Sequence, residues 1–150
     1  MKLAAMIDQA IGLEEKIQAC YQALSRLTGN GFSAELRALA QEEKSHINVI
    51  KTGKSFVFRA PEAFGREMIL ETELRLGLKA AEALEADLAS DRVGFAEGAR
   101  RLSELEKKFE KVQFHAAVEI SDFSMKKLFE ALARAVAEHR QRLNRLLAGL

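Results

Sequence analysis

The stretch QEEKSHINVI, residues 41–50, sets Glu43 and His46 three residues apart, one helical turn, so the carboxylate and the imidazole share a face. That face is otherwise apolar, carrying Leu36, Leu39, Ala40, Ile47 and Ile50. A carboxylate and a nitrogen base inside an apolar stripe can ligate a metal or carry a phosphoryl group on the imidazole. They can also form a hydrogen-bonded pair that fixes helix register.

A faint repeat enlarges this group. ALAQEEKSHINVI (38–50) aligns without a gap on RLSELEKKFEKVQ (101–113), which sets Glu106 over Glu43 and Phe109 over His46. AIGLEEKI in the first helix aligns with ILETELRL in the third, setting Glu14 over Glu73. Helical periodicity puts Glu14 with Ile7, Ala10, Ile17, Tyr21 and Leu24, and Glu106 with Ala99, Leu102 and Phe109. It puts Glu73 with Ile69, Leu76, Gly77, Ala80 and Leu84. Each of four helices is thus expected to send one glutamate inward. Such carboxylates repel one another and are costly to desolvate unless they take up protons or meet cations. Two divalent ions would balance them, with His46 as a neutral nitrogen ligand.

The elements that must hold these groups are helices. Ala, Leu, Glu, Lys and Arg dominate the sequence, and Pro61 is the single proline. The pattern predicts helices over about 3–28, 33–52, 61–89, 95–120 and 122 to near the C-terminus. TGNGFS is read as the first turn, with Ser33 as an N-cap, and Ser121 or Asp122 caps the last helix. The segment GKSFVFRA is long enough to run back along the second helix before the third begins. The expected architecture is a single all-α domain: a ferritin-like four-helix bundle over 3–120, two antiparallel hairpins joined by that crossover, plus a fifth helix over 121–150.

Glu14 with Tyr21 seven residues on, then EEKSH, then a second glutamate-bearing helix and a degenerate copy of EEKSH, resembles the rubrerythrin branch of the ferritin-like superfamily. The resemblance covers about residues 3–120. It implies Glu14, Glu43, His46, Glu73 and Glu106 as ligands of a non-haem di-iron centre, or of a single or substituted metal, with Tyr21 near the metal. It further implies an oxidoreductase that reduces peroxide or dioxygen. Two departures stand out. Phe109 occupies the place of the second histidine, leaving Glu110 as a substitute ligand on the inner side of its helix. There is no rubredoxin-like domain, so electrons would come from an external donor protein.

Composition narrows the alternatives. The formal net charge is +1, which gives no basic field for nucleic acid or anionic lipid. Cys20 is the single cysteine, which excludes an intrachain disulfide and paired-cysteine metal sites. No stretch is apolar enough to span a membrane, and the first residues lack a secretory core, so a cytoplasmic protein is expected. The three histidines are too few for a haemerythrin-type site. Histidine phosphotransfer would need an exposed imidazole, and SHINVIKTG lacks the Lys-Gly expected after it. A metal-free bundle serving as an assembly or interaction module stays open. The last helix carries Met125, Phe129, Leu132, Val136, His139, Leu143, Leu146 and Leu150 at alternating spacings of four and three. That coiled-coil-like seam suits either the side of the bundle or a homodimer. Within it His139 reads as a register-setting histidine.

Overall fold

Strong helix formers and the scarcity of proline produce long, nearly uninterrupted helices. The computed structural model describes residues 2–28, 30–59, 71–119 and 121–149. They form α1 (Lys2–Leu27), α2 (Asn30–Arg59), α3 (Glu71–Ala89), α4 (Phe95–Glu119) and α5 (Phe123–Ala148), with no strand among them. Asp122 caps α5, its Oδ1 accepting from the Met125 amide at 2.9 Å. The turn before α4 contains Asp91 at φ 57°, in the left-handed region that aspartate tolerates better than most residues.

The second helix differs from expectation at both ends. It begins at Asn30, so most of TGNGFS is helical and Ser33 is no cap. The Ser33 hydroxyl instead donates to the Ser25 carbonyl at 2.8 Å and accepts from Arg37 at 2.6 Å. At the other end GKSFVFR continues the helix to Arg59. Gly53 permits this against α5: a Cβ there would lie 2.7 Å from the Phe129 ring.

Helix directions follow from which residues meet. Between α1 and α2, Ser25 meets Ser33, Glu14 meets His46 and Asp8 meets Lys54; one number rises as the other falls, so the pair is antiparallel. Between α1 and α3 the numbers rise together. Leu13 packs at Gly77, Cys20 Sγ lies 3.8 Å from the Ala81 carbonyl oxygen, and Leu24 and Leu88 meet over Gly98. These two helices are parallel, so α2 and α3 are opposed. The lengthwise crossover, with its parallel second and third helices, is therefore not made: α2 has taken up the segment that would have formed it. The connecting residues 60–70, including Pro61, lie outside the described residues. The same test makes α5 antiparallel to α2, through Phe129 at Gly53 and His139 at Glu43. The helices alternate in direction along the chain.

The packing places α1, α2, α5 and α4 around one interior, with α3 laid against α1 and α4. On α3 the buried residues are Leu74, Ala81, Leu84 and Leu88, whereas Leu76 is 61% exposed. This stripe is displaced from the one read in the sequence. ETELRLGLKAAEAL carries leucine or alanine on adjoining faces, and burying Leu74 with Ala81 turns Leu76 and Ala80 to solvent. On α5 the seam from Met125 through Leu146 is buried within the chain. Among the described residues no helix is long and apolar enough to cross a membrane.

Candidate metal centre

Glu43 is the centre of the interior group. The apolar stripe of α2 carries it inward until the residue is fully buried. Its two oxygens face two imidazoles. Oε2 lies 3.2 Å from Nδ1 of His46, one turn along α2, and Oε1 lies 2.9 Å from Nδ1 of His139 on α5. The rings stack with centroids 4.7 Å apart and planes inclined by 28°. One ligand atom from each of Glu43, His46 and His139 fits within a 4.8 Å span.

Two further carboxylates close the group. Glu14 on α1 is buried, with Oε2 3.9 Å from Nδ1 of His46, and its Oε1 has no hydrogen-bond partner. Glu106 on α4 is buried and accepts from the Tyr21 hydroxyl at 3.1 Å. The Tyr21 ring stands edge-on to His139, 6.2 Å between centroids.

The carboxyls do not share the charge equally. Burial, then the charge of Glu43 and a hydrogen bond with it, then the charge of Glu106, hold Glu14 well above the usual carboxylate range. Burial alone would raise Glu43 too. Hydrogen bonds from Glu14, His139 and His46, with the charge of His46, outweigh it and hold Glu43 well below that range. The two shifts run in opposite directions, so a proton shared by the pair is favoured on Glu14, because Glu43 already faces both imidazoles. Burial, the charges of Glu106 and Glu43, and the bond to Glu106 push the Tyr21 phenol far above its ordinary value of 10.0.

The Glu43, His46 and His139 group could hold a metal ion. Donors on one tetrahedral ion with bonds of ~2.1 Å stand roughly 3.4 Å apart. The observed 3.2 and 2.9 Å run from different oxygens of Glu43, and one ligand atom from each residue lies within 4.8 Å of the others, so the three would draw together around an ion. The unpartnered Oε1 of Glu14 is the other sign, since a buried carboxylate oxygen without a donor is costly.

No protein-family model, curated protein or solved structure matches this chain. The case for chemistry therefore rests on the side chains themselves.

Glu14, Glu43, His46 and Glu106 are all buried as expected, and the first three lie in mutual contact. Glu73 is not among them. It is exposed on α3, because the helix buries Leu74 and not the glutamate stripe. His139, which the α5 seam marks as a register-setting histidine, stands beside Glu43. The signal was present, a lone polar residue inside the α5 seam, but nothing in the spacing says which helix that seam will face. Phe109, in the place of the missing second histidine, is 2% exposed and part of the apolar core. The second imidazole comes from α5 instead. Glu110 and His115 belong to α4, and their side chains lie outside those described.

Proposed function

We propose that the protein binds one divalent transition-metal ion, ferrous iron in the cell, through Glu43, His46, His139 and Glu14. The observation that carries this reading is a fully buried carboxylate with an imidazole nitrogen on each oxygen. Two histidines and one carboxylate form the ligand set that suits non-haem Fe(II) with open coordination positions. Glu14 and Glu43 together match the two charges of a single ion. A di-iron centre, which the resemblance to rubrerythrin implies, calls for four carboxylates, whereas the described interior contains three.

The resemblance thus bears on ligand chemistry alone, since the helix order departs from the ferritin-like one. The reaction class it suggests is reduction of peroxide or dioxygen. A single bound iron would pass electrons one at a time, and an external donor protein would supply the two that reduction of peroxide to water takes. The chain's own contribution is to hold the ligands, exclude bulk water and keep the Tyr21 hydroxyl on Glu106, away from ionisation.

Anaerobic loading with ferrous iron tests the proposal. About one iron per chain, with an absorbance change when peroxide is added, is the expected result. Iron uptake without any response to peroxide would leave a binding protein and remove the redox role. About two irons per chain would restore the di-iron reading.

A metal-free interaction bundle is the second reading, and one observation favours it. Glu43 is already satisfied by both imidazoles and the Glu14 proton, so the network closes without an ion apart from Glu14 Oε1. Metal analysis of the natively purified protein separates the two, with no metal expected for this alternative. A homodimer would have to use another surface, since the α5 seam is buried within the chain; sedimentation checks it.

A further inference from the structure

His139 is held on both sides, and the outer contact comes from the first glutamate of EEKSH. Its Nδ1 faces Glu43 at 2.9 Å, while its Nε2 lies 2.7 Å from Oε2 of Glu42. The His139 side chain is 3% exposed and that of Glu42 46%. Glu42 therefore stands at the surface with one oxygen turned in on the buried ring. Arg142, one turn beyond His139 on α5, donates to the same Glu42 oxygen at 2.8 Å, and its Nε lies 3.6 Å from Glu35. Adjacent residues of α2 thus grip opposite edges of one imidazole on α5.

Without an ion the two contacts are alike, since each carboxylate calls for a proton on the ring nitrogen it faces. An ion on Nδ1 would take the place of the proton shared with Glu43, whereas Glu42, which only accepts hydrogen bonds, still calls for a proton on Nε2. A neutral imidazole with its proton on Nε2 has its lone pair on Nδ1, the nitrogen that faces Glu43 and the neighbouring ring. Carboxylates placed in this way orient metal-ligating histidines and raise their basicity.

We infer that Glu42 is a positioning residue of the metal centre, fixing His139 in the tautomer and ring orientation that offer Nδ1 to the ion, with Arg142 anchoring Glu42. The inference rests on the metal-binding reading above and adds two commitments to it: the nitrogen His139 uses, and an outer residue on which affinity depends. His139 then joins α2 to α5 through the ion on one edge and through Glu42 on the other.

The test uses the full chain, stripped of metal and titrated anaerobically with Co(II), whose visible bands report ligand geometry. Glu42→Ala is expected to weaken Co(II) binding by about 10- to 100-fold and to alter those bands. Glu42→Gln, whose amide oxygen can still accept from Nε2, should fall between Ala and wild type. Circular dichroism should be unchanged, because the residue lies at the surface. Nitrogen-15 NMR of the zinc-loaded wild type needs no variant. It should find His139 ligated through Nδ1 with a proton on Nε2.

Wild-type affinity and an unaltered Co(II) spectrum in Glu42→Ala would overturn the inference and leave the metal site standing. Ligation through Nε2 would do the same. A wild-type protein that takes up no metal would remove the inference together with the reading beneath it.

Discussion

The two copies of the internal repeat have reached opposite environments. In 38–50 the glutamate faces imidazoles from two helices, and its carboxyl is held well below the usual range. In 101–113 the glutamate accepts from a phenol, and Phe109 fills the place of the histidine with hydrocarbon. The first copy gathers nitrogen donors around a negative charge, as a cation site requires. The second offers a hydroxyl and apolar packing. Duplicated sequence therefore does not yield a duplicated site. The second imidazole comes from a helix outside the repeat, α5, and the interior is one-sided.

Substitutions at the two copies should expose this asymmetry. The largest effect belongs to Glu43→Ala, which leaves two buried imidazoles facing a gap. Breaking a buried charge pair from one side costs about 3–5 kcal/mol, so denaturant melts should show a loss of that size. Metal uptake should disappear with it.

Glu14→Gln should separate stability from metal binding. The folded Glu14 carboxyl is raised above its ordinary 4.5, so its contribution to stability is fully present below that pH. The contribution is lost as the pH rises toward the folded value. Glutamine has no such proton to lose. The metal-free variant should therefore gain stability over wild type as the pH is raised from 4.5, while binding metal more weakly. Glu43 has the opposite sign: its contribution is present above the usual range and lost as the pH falls. Metal binding must displace the Glu14 proton, so wild-type affinity should weaken in acid, as calorimetric titrations across pH would record.

On the other side of the comparison, Tyr21→Phe removes the hydroxyl from Glu106 and should cost about 1 kcal/mol, with metal affinity nearly retained. A loss of affinity comparable to that of Glu43→Ala would show that Glu106 belongs to the ion's own ligand set. The smallest effect is expected at Glu73→Gln. An exposed residue of this kind alters stability by less than about 0.5 kcal/mol, and metal stoichiometry should not change.

Much of this arrangement could be read before the fold was known. Periodicity alone buried Glu14, Glu43, His46 and Glu106, because α1, α2 and α4 each carry one clear apolar stripe. It failed on α3, where leucines and alanines on adjoining faces leave the phase undetermined and Glu73 turned out to solvent. Helix direction was equally hidden. GKSFVFRA has the length of a crossover, but nothing local stops α2 from continuing through it, and the tight place at Gly53 depends on Phe129 lying opposite. His139 was visible as a polar residue in a seam. That it meets Glu42 and Glu43 depends on α5 closing the interior beside α2, a tertiary fact with no local signal.

The most direct test of the central claim is anomalous diffraction from crystals of the metal-loaded protein. The account predicts one peak in the interior bounded by α1, α2, α4 and α5, at ~2.0–2.2 Å from a Glu43 oxygen and from Nδ1 of both His46 and His139. An interior without a peak, with Glu43 still bonded to the two imidazoles, would contradict it.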